Sequence, residues 1–328
     1  MKAITRRAYG QTDVVELCDV ETPTPKDDEI LIRVEAAGVG RDVWHMMTGD
    51  PYIMRLAVGL RAPRSIILGR DFAGYVEAVG RDATRFRPGE AVMGTSGGGT
   101  FAEYVCAQES KVAPRPDGVT AEQAAAIPIS RSTALQGLSD RGRIGAGQEG
   151  LVGGASGGVG TFAVQIAKAY GARVTGVCSG AKAEMVRSLG VDRVVDHERE
   201  SFADIGPVHD LILDIGGRSS LADLRRALAP DGTLVLAGGE GGDRWTGGLG
   251  RQLRAVLTSP FLRQRLCMFV ARENSADLER LTDMIDAGQV TPVVDGPYPL
   301  SDAAGAIRHL AAGRGRGKVV VSVLGPDR

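Results

Sequence analysis

The residues with the clearest chemistry lie in the stretch Gly150-Leu-Val-Gly-Gly-Ala-Ser-Gly-Gly-Val-Gly160. Between Val152 and Val159 stand only Gly, Ala and Ser. Backbone that bare adopts unusual φ/ψ and brings its N–H groups close to a phosphate. The spacing Ala155-x-Gly157-x-x-Gly160 is that of a dinucleotide fingerprint with alanine in first place. The predicted guest is a pyrophosphate, held by Ala155, Ser156, Gly157, Gly158, Val159 and Gly160.

About twenty residues past such a turn, an NAD site usually carries an Asp or Glu that accepts from the ribose 2′-OH. Here the corresponding residues are Cys178-Ser179-Gly180, with Lys182 just beyond. A hydroxyl and an ammonium suit a 2′-phosphate and no carboxylate repels one, so NADP(H) is favoured over NAD(H). The alternative is that Ser179 caps the following helix and Lys182 is a solvated charge.

These residues need a strand, a tight turn and a helix to present them. Leu151 and Val152 read as the end of a buried strand, and Val159, Phe162, Ala163, Ile166 and Tyr170 fall at helical spacing. A second strand, Arg173 to Cys178, completes a βαβ unit. Further strands are predicted at Arg193–Val195, Leu211–Asp214, Leu234–Leu236 and Cys267–Val270, with helices between them. That alternation argues an α/β, doubly wound parallel sheet. Its crevice is expected at the carboxyl ends of the strands, among Gly153–Gly160, Ser179, Asp214–Gly217 and Ala237–Gly239, with Gly238 against the cofactor.

Before about Ala121 the pattern differs. Short β-type runs at Ala3-Ile4, Val14–Leu17, Ile30–Ala37, Phe72–Val79, Ala91–Met93 and Phe101–Val105 are separated by Gly and Pro, which predicts a compact barrel-like domain. Thr120-Ala-Glu-Gln123 reads as a capping box, and Ser132 to Leu138 as a helix. The glycine-dense stretch 238–250, followed by Arg251, Arg254, Leu253 and Phe261, reads as a mobile loop and an amphipathic surface helix, with a substrate lid as the alternative. Gly317 to Val323 is a strand expected to return to the first domain. The resulting division is 1–121, 122–290 and 291–328.

With 328 residues, 43% of them hydrophobic and 24% charged, the chain has the balance of a soluble globular protein of two domains. A net charge of −1 gives no general attraction for nucleic acid or an anionic membrane. No run is apolar enough to span a bilayer and the N-terminus lacks a signal h-region, so a cytoplasmic location is expected. Cys18, Cys106, Cys178 and Cys267 stand singly, without zinc-knuckle or disulfide spacing, and read as free buried thiols.

Taken together, Gly38-Val-Gly-Arg-Asp-Val-Trp-His45, Gly69-Arg-Asp-Phe-Ala-Gly74, Gly99-Thr-Phe-Ala-Glu-Tyr104, Ala126 to Gln136, Gly154 to Gly160 and Arg316-Gly-Lys-Val319 resemble the medium-chain dehydrogenase/reductase superfamily. The resemblance is closest to its zinc-independent quinone oxidoreductase (zeta-crystallin-like) branch and covers essentially the whole chain. It implies a GroES-like β-barrel catalytic domain, a Rossmann NADP(H)-binding domain, and a homodimer joined through the Rossmann sheets. It also implies Thr133 near the nicotinamide, His197 by the adenosine phosphate where relatives often have Tyr, and a C-terminal basic element, Arg316 and Lys318, approaching the cofactor.

Where zinc enzymes of the superfamily hold catalytic metal with Cys, His and Cys, the matching positions carry Gly40, Arg70 and Ile129, none of which ligates zinc. The four-cysteine lobe of a structural zinc is missing as well. No metal is therefore expected, although His45 and Asp71 lie nearby in the sequence. Without a Lewis acid the reasonable acceptors are quinones and α,β-unsaturated carbonyls, in which developing charge is delocalised and a few hydrogen-bond donors suffice. The expectation is hydride transfer from NADPH to such a small molecule in a cleft between domains, with His45 the candidate proton donor, Arg41 orienting an oxyanion and Tyr52 supplying a hydroxyl or aromatic wall. Three other readings stay open: a 2-alkenal or enoyl reductase of a biosynthetic pathway, a non-catalytic NADPH-binding protein, and a zinc-dependent alcohol dehydrogenase.

Overall fold

The computed structural model describes residues 1–323. Residues 324–328 of the expected C-terminal return lie outside them. In chain order the strands are β1 (Lys2–Thr5), β2 (Glu16–Asp19), β3 (Glu29–Val39), β4 (Asp71–Val79), β5 (Ala91–Thr95), β6 (Tyr104–Gln108), β7 (Val112–Pro114), β8 (Glu149–Gly153), β9 (Arg173–Cys178), β10 (Arg193–Asp196), β11 (His209–Asp214), β12 (Leu228–Leu236), β13 (Arg265–Met268), β14 (Val294–Pro299) and β15 (Lys318–Ser322). The helices are α1 (Arg41–Thr48), α2 (Arg55–Val58), α3 (Ala121–Ala125), α4 (Pro128–Gln136), α5 (Gly158–Ala169), α6 (Ala183–Ser188), α7 (Leu221–Ala227), α8 (Leu249–Thr258), α9 (Ser275–Asp286) and α10 (Ala303–Ala311).

The chain divides into two compact units, one of residues 1–130, 273–288 and 292 onward, the other of 131–272 and 289–291. In the first, a sheet of order β14-β15-β3-β4-β5-β7, with β6 also on β3, is antiparallel apart from the β14/β15 pair. Ile30, Ile32 and Val34 alternate along β3 and bury against Phe72, Val76, Val92 and Val105, as period-two patterning requires. The C-terminal strand does return: Val319 of β15 pairs with Val39 of β3, and Val319 and Val321 join the cluster of Ile4, Val43, Met47 and Phe101. Helix α9 belongs to this unit, whereas the sequence assigns 122–290 to the second. The cause is tertiary: α9 packs against β7, and Arg85 Nη2 bonds Glu279 at 2.8 Å.

The second unit is one parallel sheet of order β10-β9-β8-β11-β12-β13. Leu151, Val177, Val195, Ile212, Leu234 and Leu266 contribute to its buried core. This is the strand order of a doubly wound dinucleotide fold, with the reversal at β8, which ends in the glycine stretch. Thr120 and Gln123 form the predicted capping box of α3.

Several elements are shifted from their expected places. Helix α4 starts at Pro128, where a missing N–H costs nothing, and gives way to a wide turn at Gly137. Strand β13 stops at Met268 because its partner β12 offers only Thr233–Leu236, and Val270 is left exposed. Thr12–Val14 is a 3₁₀ turn, so β2 begins at Glu16, and β6 begins at Tyr104. All four cysteines are free, but only Cys178 is fully buried. No helix among the described residues is long and apolar enough to cross a membrane.

Candidate functional site

The turn between β8 and α5 is built by backbone. Gly154 and Ala155 N–H both donate to Val177 O, at 3.1 and 3.0 Å, which pins the turn to the end of β9. Gly154 sits at φ +84°, open to glycine and strained for other residues. A Cβ on Gly160 would strike Gly154 O and come within 2.7 Å of Ala155 Cα, so glycine there lets α5 pack directly on the turn. Gly157 is the N-cap of α5 and no side chain caps the helix. The first-turn N–H groups of Gly158, Val159 and Gly160 thus have no helical carbonyl to bond, and the positive end of the helix dipole lies with them. Above Gly157 the nearest atom to a Cβ position is Gly154 O at 3.6 Å. A helix end without a side-chain cap, where even a Cβ on Gly157 would meet only one carbonyl at ordinary contact distance, fits a dinucleotide pyrophosphate.

At the tip of β9, Ser179 occupies the N-cap position of a 3₁₀ turn, Gly180–Lys182, yet its side chain makes no cap bond. The capping alternative is not realised, and the hydroxyl is available to a ligand. Lys182 is half-buried at the end of that turn, and His197 is exposed, its N–H donating to Cys178 O at 3.1 Å. One group here escaped the sequence. Asp196, opposite Cys178 in register, accepts at Oδ1 from the N–H of Gly180 (2.9 Å) and of Glu198 (3.1 Å). It shapes the turn that carries Ser179 and, after burial itself, helps push the Cys178 thiol up. An acid at the carboxyl end of the strand beside β9 was its only sequence signal.

Across the sheet, Gly238 follows β12, with its N–H donating to Asp214 O at 3.1 Å, and Thr133 is half-buried on α4. Ala155 to Gly160, Ser179, Lys182, His197, Gly238 and Thr133 all belong to the second unit.

Arg41, His45, Tyr52, Arg316 and Lys318 belong to the first. Arg41 and His45 stand one helical turn apart on α1, which places them on one face. His45 Nδ1 lies 2.6 Å from Asp50 O; a carbonyl only accepts, so Nδ1 carries the proton. The Tyr52 ring lies under the Arg55 guanidinium, 4.5 Å from its centroid. Arg316 is exposed and its N–H donates to Asp295 Oδ2 at 2.8 Å. Lys318 is different: its side chain is 4% exposed and donates Nζ to Asp71 Oδ2 at 2.6 Å. Asp71 Oδ1 accepts from Ile129 N–H at 2.9 Å. Burial pushes the Asp71 carboxyl up, opposed by the Lys318 ammonium. Lys318 is therefore an internal counter-charge.

The three positions equated with zinc ligands do not fit that metal. Gly40 has no side chain, Ile129 offers only hydrocarbon, and the Arg70 guanidinium is bound to Glu273. Among the described residues no three His, Cys, Asp or Glu side chains come together to hold a metal ion.

A GroES-like domain joined to a Rossmann sheet whose switch point carries a glycine-lined turn is the fold of nicotinamide-dependent oxidoreductases. Residues 26–117 match the alcohol dehydrogenase GroES-like domain and 189–321 the family described as zinc-binding dehydrogenase. The chain is 32% identical over 339 residues to the NADPH-dependent alkenal/one oxidoreductase, chloroplastic, of Arabidopsis thaliana, covering 98% of this chain and 79% of that protein. It is 30% identical over 336 residues to the chloroplast envelope quinone oxidoreductase homolog of the same plant, covering 98% of each. The solved quinone oxidoreductase of Coxiella burnetii superposes with a TM-score of 0.87 at 26% identity, over 99% of both chains. The chain belongs to the medium-chain dehydrogenase/reductase superfamily, in its quinone oxidoreductase branch.

Proposed function

We propose that the protein is an NADPH-dependent reductase of quinones or α,β-unsaturated carbonyls that works without a catalytic metal. The observation that carries the reading is the uncapped, glycine-lined start of α5, beside a β9 tip that offers Ser179, with the Asp196 carboxylate of the next strand bonded to the N–H groups of Gly180 and Glu198. Relatives named for alkenal/one and quinone reduction support the acceptor class. Bound there, NADPH supplies hydride from C4 of its nicotinamide.

The chain's own residues do the rest. Ala155 to Gly160 hold the pyrophosphate through backbone N–H groups, Ser179 and Lys182 take the 2′-phosphate with His197 alongside, and Thr133 and Gly238 border the nicotinamide. The substituted ligand set Gly40, Arg70 and Ile129 supports an acceptor that needs hydrogen bonds rather than a Lewis acid. Arg41 offers a permanent cation to a developing oxyanion, and Tyr52 a hydroxyl or an aromatic wall. His45, with its Nδ1 proton committed to Asp50 O, exchanges protons through Nε2. Arg316 is an exposed cation of the first unit, while Lys318 is spent as the counter-charge of Asp71.

A homodimer belongs to the same proposal. Its support is an exposed apolar stripe on and after α8, formed by Leu253, Val256, Leu257 and Phe261, beside β13 at the edge of the sheet.

The test is NADPH oxidation against a panel of quinones, enones, aldehydes and alcohols, with metal content measured on the same sample. Turnover of quinones or enones by metal-free protein is expected. Activity confined to simple alcohols with NAD, or NADPH binding without turnover of any acceptor, would overturn the reading.

A further inference from the structure

Two loops cover the carboxyl end of the second half of the parallel sheet: residues 214–219 after β11 and 237–239 after β12. Both are tied to one side chain that the reaction scheme does not use. Arg251, in the first turn of α8, sets Nη1 2.7 Å from Asp214 Oδ2 and donates from it to Ser219 O at 2.9 Å. Its Nη2 donates to Gly238 O at 3.1 Å, and the neighbouring Gln252 donates Nε2 to the same carbonyl at 3.1 Å. Asp214 Oδ1 accepts from Gly217 N–H at 3.3 Å. The Asp214 side chain is 2% exposed and that of Arg251 18%.

A carboxylate buried this deeply keeps its charge only beside a cation, and breaking such a pair strands the remaining charge. An ion-paired carboxylate at the end of β11 and two carbonyls from the loops converge on one guanidinium. Only a planar fork with donors pointing several ways serves them together; an ammonium on a flexible stem reaches one or two. In a doubly wound sheet each half receives one mononucleotide. Strands β8, β9 and β10 present the pyrophosphate turn and the Ser179 tip to the adenosine half. The loops held by Arg251 therefore serve the nicotinamide half.

We propose that Arg251 is a positioning residue for the nicotinamide half of the dinucleotide: by holding Asp214, Ser219 O and Gly238 O it sets the shape of both loops without touching the ligand itself. The inference rests on the reading that the cradle takes NADPH, and its test separates the two. Affinity is measured by fluorescence titration for NADPH and by competition for adenosine 2′,5′-bisphosphate, which carries the adenosine half alone. In Arg251→Lys the dissociation constant for NADPH rises about tenfold, the equivalent of one charge-assisted contact, while that of the bisphosphate stays within about twofold. Arg251→Met gives a larger split in the same direction. If the Met variant fails to fold, the Lys variant decides alone.

Unchanged NADPH affinity in Arg251→Lys, or a parallel loss of both ligands, would overturn the assignment, since general damage to the second unit lowers both. Should wild-type protein bind NADH in preference to NADPH, the 2′-phosphate reading falls and the same split, read with NADH and 5′-ADP, still decides the role of Arg251. Wild-type protein that binds neither dinucleotide sinks both.

Discussion

Replacing Lys318 by Met leaves Asp71 with a buried charge and, of the Ile129 N–H and the Lys318 ammonium that its carboxylate accepts from, only the Ile129 N–H. Both side chains of the pair are almost wholly covered, at 4% and 2%, so solvent screening does little to soften the loss. Removing one partner of such a pair costs about 3–5 kcal/mol. At roughly 2–4 °C per kcal/mol for a unit of this size, the transition of the first unit falls by about 6–20 °C. Removing both charges, as Lys318→Met with Asp71→Asn, costs less than the single change, because the Asn carbonyl still accepts from Ile129 and no ion is stranded; a coupling of about 1 kcal/mol or more is expected.

The pH dependence carries a sign. In Lys318→Met the folded-state Asp71 carboxyl is pushed further above its unfolded value, so the folded state binds the extra proton. Stability is then fully present below the unfolded value near pH 4 and is lost as pH rises through the raised folded value, so the deficit against wild type shrinks as pH falls from 7 toward about 4. Urea unfolding monitored by circular dichroism at pH 7 and pH 5 measures both effects. A cost below about 1 kcal/mol at pH 7, as for an exposed pair, or a double variant no better than the single, would refute the reasoning.

Gly160→Ala forces a methyl against Gly154 O and Ala155, so NADPH affinity drops and stability falls by about 1–3 kcal/mol; a titration matching wild type would show that α5 need not pack so closely. His209 is 1% exposed with neither ring nitrogen hydrogen-bonded, and burial holds its pKa below the ordinary 6.5. The unfolded chain therefore takes up a proton that the folded protein refuses, and stability declines as pH drops below about 6.5, by at most about 1.4 kcal/mol per pH unit. His209→Leu should remove that decline in melting curves from pH 7.5 to 5, and parallel curves would count against it. Leu257, 70% exposed on α8, should on replacement by Glu convert a dimer to monomer in analytical ultracentrifugation with the far-ultraviolet spectrum unchanged; a wild-type monomer at micromolar concentration would remove the proposed interface.

The glycine turn between β8 and α5 was readable in the chain because its constraint is local. Gly154, Gly157 and Gly160 are fixed by φ, by the open helix end and by a close approach within a few residues, and β8, α5 and β9 follow from periodicity on either side. The succession of strands β8 to β13 along the chain was equally legible, since each is separated from the next by helix or turn, whereas their order in the sheet is set by pairing between strands and came from the structure. Element ends were less so: β13 stops where its neighbour's pairing stops, and α9 joins the first unit through partners far away in the chain. The same limit hid Asp196, which shapes the Ser179 turn from the next strand, and Arg251, whose partners sit on loops preceding its helix.

Sequence alone therefore determined the class of fold and of chemistry, because a glycine turn between strand and helix is a statement about residue type and short spacing, and the resemblance carried by motifs along the whole chain implied the oxidoreductase family. Tertiary structure decided which charges are spent inside the protein. Lys318 reads as a cofactor-facing cation until the fold brings it to Asp71, 247 positions away, and buries both. Burial turns an ammonium that would otherwise be solvated into the counter-charge of one carboxylate, and no spacing along the chain encodes that pairing.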